Sequence, residues 1–167
     1  MDNIKELERK FIVNRVPEYM LDYHVGSYLI EQNYLYSDIV SECRIRREVN
    51  LMNEEVKNSI DLKSGVGKVR DEESNEISYE MAEKFLVNDY YPIVKQRDIY
   101  FLDGNFIEVD FYDDLELIVA EIEFINEAEM NKFEMYGWMI KEVSNQEEYK
   151  NKNLWKKLNK RSVEEWE

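Results

Sequence analysis

The chain has 167 residues, 44% of them hydrophobic, and sets 37 acidic residues against 22 Lys plus Arg for a formal charge of −15. One domain with an adequate core is expected at this length, and the hydrophobic content excludes a long disordered chain. So acidic a balance opposes nonspecific binding to duplex nucleic acid or an anionic membrane, although a local cluster of Lys and Arg can still reverse the field inside a cleft.

The segment Glu6-Leu7-Glu8-Arg9-Lys10-Phe11 alternates, so Glu6, Glu8 and Lys10 share one face of a strand predicted over residues 7–13. A short helix follows over residues 17–24, where Pro17 suits a helix start because its missing donor is not needed there. His24 is the one histidine. It reads as structural or surface, since no second histidine completes a zinc or catalytic constellation. Strands over residues 28–36 and 42–51 flank a polar turn at Ser37-Asp38. Cys43 is the only cysteine, which excludes an intrachain disulfide. Alternation sets it opposite Glu42 and Arg44, in a core position rather than as a reactive thiol.

Residues 59–63 form another predicted strand, and Gly65 and Gly67 then permit a tight connection before Lys68, Arg70 and Glu72 resume the alternation. Gly65-Val66-Gly67-Lys68 lacks the glycine spacing and following Ser or Thr of a Walker loop. Ser78 caps a helix over residues 79–87. A long strand over 91–101 and one over 106–111 are joined by the turn Asp103-Gly104-Asn105, and a further strand covers 117–124. Asn126 with Glu129 forms a capping box for a helix running toward Tyr136 and stopped by Gly137. Residues 153–160 are helical in character, ahead of an acidic tail. No repeat or linker divides the chain. The expectation is one domain over 1–167, with a barrel and its helices over 1–155 and a C-terminal helix or tail over 156–167. Residues 1–10 are too charged for a signal peptide, and no apolar run reaches the roughly 18 residues of a membrane span, so a cytoplasmic, soluble protein is expected.

Mixed-charge alternation recurs at Glu42, Arg44 and Arg46, at Lys95 and Arg97, at Glu108 and Asp110, and at Glu121 and Glu123. An open sheet would turn these faces to bulk water. A closed or strongly curved sheet gathers them around one wet cavity with hydrophobic packing outside, and closure also removes exposed edges. The expected fold is therefore α+β, an antiparallel closed β-barrel with peripheral helices. Glu6 with Glu8, and Glu121 with Glu123, present paired carboxylates to a hard divalent ion. Arg44, Arg46, Lys63, Lys95 and Arg97 offer the phosphate-binding half. The same charges also suit a buried structural network, so polarity alone does not establish catalysis.

The ordered motifs resemble the CYTH family, the triphosphate tunnel metalloenzymes. The Glu-x-Glu-x-Lys signature stands as Glu6, Glu8 and Lys10. Ile30-Glu31-Gln32-Asn33-Tyr34-Leu35, Arg44-Ile45-Arg46, Lys63, Arg70, Glu72, Lys95-Gln96-Arg97, Glu108-Val109-Asp110 and Ala120-Glu121-Ile122-Glu123-Phe124 follow in order. Trp138, Glu142-Val143-Ser144 and Tyr149-Lys150-Asn151-Lys152-Asn153-Leu154 complete a likeness over about nine tenths of the chain. The resemblance implies a tunnel that binds triphosphate-containing compounds with Mg2+ or Mn2+. It implies Glu6, Glu8 and Glu123 as ligands of one metal, and Glu72 and Glu121 for a second metal or its attacking water. Lys10, Arg44, Arg46, Lys63, Arg70, Lys95 and Arg97 are implied phosphate binders. Asp110 holds the network or assists at the water side, and Lys10, Glu72, Asp110 and Glu121 form the implied catalytic set. One departure stands out: where the family commonly carries a second alternating glutamate after Glu72, this chain has Ser74. That change weakens the second metal site, alters metal preference, or leaves water to Glu72 and Glu121, unless Glu73 or Glu76 compensates.

The favoured activity is metal-dependent hydrolysis of inorganic tripolyphosphate or another triphosphate. A class IV-like adenylate cyclase and a noncatalytic binder of inorganic polyphosphate are the alternatives, with a protein scaffold behind them. A homodimer stays open.

Overall fold

The structure, a computed structural model, describes residues 7–65, 71–87 and 90–164, with side chains as far as residue 160. Nine antiparallel strands form one sheet: β1 Glu8–Val13, β2 His24–Ser37, β3 Ser41–Asn50, β4 Val56–Ser64, β5 Asp71–Glu76, β6 Ile93–Leu102, β7 Asn105–Tyr112, β8 Leu117–Glu123 and β9 Met139–Glu142. The order across the sheet is β5-β4-β3-β2-β6-β7-β8-β1-β9. Three helices accompany it: α1 Tyr79–Leu86, α2 Glu127–Lys132 and α3 Asn151–Glu164. Among the described residues no helix is long and apolar enough to cross a membrane.

The expected closed barrel does not form. Among the described residues the sheet has two edges, β5 and β9, and no ladder joins them. Both edges resist pairing for a physical reason. β5 reads Asp-Glu-Glu-Ser-Asn-Glu and is almost wholly exposed, so its charges blunt strand addition. β9 has only four residues and shifts register against β1 between Ile12 and Val13. The sheet nevertheless curls strongly, because one cavity is lined from each of β1 to β8. The chain after β9 covers it. Val143 N–H donates to the Lys10 carbonyl at 2.8 Å, and Lys10 N–H donates to Ser144 Oγ at 3.0 Å, which aims the following residues across the cavity mouth.

Alternation sorts the packing. The convex side of β1, β6, β7 and β8 carries Phe11, Val13, Tyr100, Ile107, Val109, Ala120 and Ile122. These pack with Met130 of α2, Met139 of β9 and Met20, which belongs to a 3-10 turn over Glu18–Tyr23. α1 lays Ala82 and Leu86 on Ile45. The concave side is not charged throughout. Ile12, Tyr34, Ile93, Tyr112 and Val119, each two residues from a polar cavity or network position on its strand, form a second cluster with Leu154 and Trp155 of α3. One end of the concave face is therefore an apolar seat for α3, and the charges occupy the rest.

The helix expected to run from Asn126 toward Tyr136 ends at Lys132. Its start is as the capping box requires, with Asn126 accepting from Glu129 N–H at 2.8 Å. Its end is decided by Arg9, whose NH1 takes the carbonyls of Met130 at 3.1 Å and Phe133 at 2.7 Å. Phe133 turns extended and packs on Phe11, Phe124 and Tyr136. The residue 17–24 helix is the 3-10 turn, with Pro17 as its cap. Cys43 is half-buried rather than in the core, because on β3 it is Glu42 and Arg44 that face inward.

Candidate functional site

Strand pairing places the charged residues in rows. Lys10 stands opposite Glu121, which stands opposite Glu108, and Glu8 stands opposite Glu123. Like charges directly opposite destabilise a sheet, so these rows call for cations. Lys10 Nζ meets Glu121 Oε1 at 2.7 Å, and Arg97 reaches Glu121 at 3.4 Å and pairs with Glu108. On the far side of the cavity Glu72 receives Arg44 and Lys63, each at 3.3 Å. The cavity measures about 380 Å³. Among the described residues eight Lys and Arg and seven Glu line it, so an excess of acid over the chain becomes near balance within.

Below the lining, Asp110 is fully buried and holds two of the cations. Arg97 grips it with both ends of the guanidinium, at 2.7 and 2.8 Å, and Lys95 Nζ sits at 2.6 Å. Burial opposes the Asp110 charge, yet Arg97 and Lys95 hold its carboxyl below the usual range. Lys95 shares that one carboxylate with Arg97. Burial, and then the Arg97 charge, bring its ammonium down to about 8. Glu121 lies well below the carboxylate range because Lys10, Lys95 and Arg97 outweigh its burial. Lys10 is the counterpart, raised by Glu121 and Glu8 against its own burial. Burial pushes Glu108 up, with Glu121 and Asp110 adding to it against Arg97. Arg46 is lowered by burial and by Arg44 and Arg97. The site is a crowded network of cations and carboxylates in near balance, its charges held by one another.

Of the residues singled out from the sequence, Glu8, Lys10, Arg44, Arg46, Lys63, Glu72, Lys95, Arg97, Glu121 and Glu123 all line this cavity. Asp110 lies behind it. Glu6 and Arg70 fall outside the described residues. Glu73 stands opposite the exposed Leu62, away from Glu72 and Ser74, and so does not replace a carboxylate at Ser74. His24 is structural: its Nε2 meets Ser27 Oγ at 2.9 Å, and Ser27 donates to Asp98 at 2.6 Å.

Several lining residues were given no site role from the sequence. Glu42 and Glu108 were in phase with the charged faces and were legible by alternation alone. Gln32 is neutral and carries no charge to mark it, although it is 1% exposed and its Nε2 has no partner among the described residues. Lys150, Asn151 and Lys152 come from the segment after β9, where no strand phase exists to reveal them. Lys152 reaches the Asp38 carbonyl at 3.0 Å and Glu42 at 3.8 Å, tying α3 to the β2–β3 turn.

Among the described residues no three Asp, Glu, His or Cys groups converge as a ready metal cage. The available donors are carboxylate oxygens in pairs. That set fits a small hard ion, which takes one or two carboxylates and completes its shell with water and substrate phosphate.

No protein-family model and no curated protein matches the sequence. Solved structures do. The inorganic triphosphatase NE1496 is 27% identical, with a TM-score of 0.65 over 90% of this chain and 94% of that one. A second structure of NE1496 gives a TM-score of 0.63 at the same identity, covering 89% and 96%. The PH1819 protein of Pyrococcus horikoshii OT3 shares the fold at 16% identity, with a TM-score of 0.55 over 75% of this chain and 82% of that one. The match to NE1496 covers most of this chain, in which ten of the motif residues line one cavity. The chain is thus a close structural match, over most of its length, to a CYTH-family inorganic triphosphatase.

Proposed function

We propose that this protein is a divalent-metal-dependent triphosphatase that hydrolyses inorganic tripolyphosphate or another compact triphosphate. The observation that carries the reading is the convergence of paired glutamates and six motif cations on one 380 Å³ cavity in a chain of charge −15. The likeness to an inorganic triphosphatase supports it.

Lys10, Arg44, Arg46, Lys63, Lys95 and Arg97 bind the phosphate oxygens, with Arg70 joining them by motif position. Asp110 fixes the Lys95 and Arg97 heads. Glu8 and Glu123, with Glu6 by motif, would hold one Mg2+ or Mn2+, and Glu72 and Glu121 a second. When bound, the ions supply Lewis acidity that activates water and neutralises phosphate charge. The internal ion pairs tie the two ligands together. A polyanion draws Lys10 from Glu121 and Lys63 from Glu72, which leaves those carboxylates to a cation, so metal and substrate favour each other's entry. Water attacks the terminal phosphorus, the bridging P–O bond breaks with its electron pair passing to the leaving diphosphate oxygen, and the proton shed by the water passes to that oxygen or to solvent. The basic lining stabilises that charge by preorganisation, with no covalent nucleophile.

A product assay across tripolyphosphate, longer polyphosphate, thiamine triphosphate and nucleoside triphosphates tests the reading. Orthophosphate should appear from tripolyphosphate, cease when divalent ions are removed and return with Mg2+ or Mn2+. Undiminished turnover in metal-free protein overturns the mechanism. Cyclic nucleotide with pyrophosphate reassigns it to a cyclase, and binding without turnover to a polyphosphate-binding module.

A further inference from the structure

Asp61 is 2% exposed and sits in the middle of a row that crosses three strands. Arg44 on β3 stands opposite Asp61 on β4, and Asp61 opposite Ser74 on β5. Arg44 Nε donates to Asp61 Oδ2 at 3.0 Å, and Ser74 Oγ donates to Oδ1 at 2.7 Å. A carboxylate this deep survives as an anion only when its oxygens are met. Burial pushes it up, and Arg44 with the Ser74 hydroxyl holds it below its ordinary value.

The row also accounts for the departure at Ser74. A glutamate there would stand directly across the ladder from Asp61, anion against anion. The row keeps a single carboxylate, placed on β4 beside the arginine, with a hydroxyl at its far end.

We propose that Asp61 is a positioning residue for the Arg44 guanidinium, locked in turn by Ser74, and that this lock sets the pose in which Arg44 meets a phosphoryl oxygen. The inference rests on reading the cavity as a triphosphate site. Arg44 is held at two points of different character. Its Nε is anchored on buried Asp61, while its NH2 reaches Glu72 at 3.3 Å on the cavity wall, where Lys63 also competes. A polyanion replaces Glu72 and leaves the Asp61 anchor intact, so the planar fork is presented already oriented.

Three variants test this: Asp61→Asn, Ser74→Ala, and the exchange D61S/S74D. Kinetics with tripolyphosphate and metal-free tripolyphosphate affinity are measured together with solvent exchange of the Arg44 Nε–H by 15N NMR. Asp61→Asn should raise KM and the metal-free Kd by about tenfold, the scale of a lost charge-assisted bond, with kcat little changed. Ser74→Ala should do the same by about two- to threefold, and both should speed Nε–H exchange. The exchange variant keeps the charge of the row but moves the carboxylate one strand from Arg44, so it should not recover the wild-type Kd. Recovery would show that only net charge matters and overturn the proposal. So would Asp61→Asn protein with unchanged KM and Nε–H exchange. If Asp61→Asn fails to fold, Ser74→Ala carries the same readouts. If wild-type protein binds no tripolyphosphate, the triphosphate reading fails, while the Nε–H exchange still decides whether Asp61 positions Arg44.

Discussion

At the scale of single residues, the cavity separates metal organisation from phosphate attraction. Glu123→Gln keeps the side-chain shape and removes one carboxylate opposite Glu8. It should leave substrate binding in place and cut kcat by about a hundredfold or more, the scale of losing one preorganised charge. Metal titration alongside turnover checks it, and a folded variant with parental metal dependence removes Glu123 from the site. Arg44→Ala should instead raise KM by roughly ten- to a hundredfold, as one charge-assisted hydrogen bond of about 1.5–3 kcal/mol implies. Lys95 gives a pH signature. Its folded value near 8 lies below the ordinary 10.5, so between those pH values the unfolded chain holds a proton that the folded chain has lost. Its contribution to stability therefore rises with pH across that window. Phosphate binding favours the charged form, so affinity should fall above about pH 8 and binding there should take up a proton. Calorimetry in two buffers of different ionisation enthalpy measures that uptake, which Lys95→Arg should abolish.

At the scale of elements, α3 is the piece that makes an open sheet enclose a site. Trp155 packs on Tyr34 and Tyr90 and donates from Nε1 to Asn33 Oδ1 at 2.7 Å. Asn33 also donates to the Leu86 carbonyl at 3.0 Å, so one buried amide joins β2, α1 and α3. Trp155→Ala should cost about 3–5 kcal/mol in a urea melt, as removal of a large core side chain does. Trp155→Phe, which keeps most of the packing and removes the Nε1–H bond to Asn33, should cost about 0.5–1.5 kcal/mol. Equal losses in the two variants would deny the hydrogen bond its part. Most elements were legible in the sequence because their signals are local. Ser78 caps α1 by accepting from Met81 N–H, and the turn Asp103-Gly104 joins β6 to β7. The early end of α2 was not legible, since Arg9 lies 124 residues from the Phe133 carbonyl that it captures. Nor was β9, four residues whose only ladder among the described residues is with β1.

At the scale of the whole molecule, a near-neutral cavity sits inside a strongly acidic envelope. The surrounding charge repels a polyanion at long range, while the lining attracts it at short range. Added salt should therefore speed capture of tripolyphosphate, since screening acts over about 8–10 Å at 0.1–0.15 M and buried contacts are screened less. Stopped-flow association at rising KCl checks this, and slower capture at higher salt would mean that the cavity field dominates outside the mouth.

Alternation along the chain already sets the phase of each strand. Glu8 with Lys10, Arg44 with Arg46, Lys95 with Arg97, and Glu121 with Glu123 share a face because a strand repeats every two residues, whatever surrounds it. All eight of these residues line the cavity. The tertiary structure decided the rest. Whether the sheet closes depends on its edges, and the acidic β5 and the short β9 leave it open. Which interior positions stay wet depends on where α3 lands, and it converts Ile12, Tyr34, Ile93, Tyr112 and Val119 into a dry seat. Asp61, Gln32 and Lys152 took their places through neighbours on other strands and on the segment after β9, and no spacing along the chain records a neighbour.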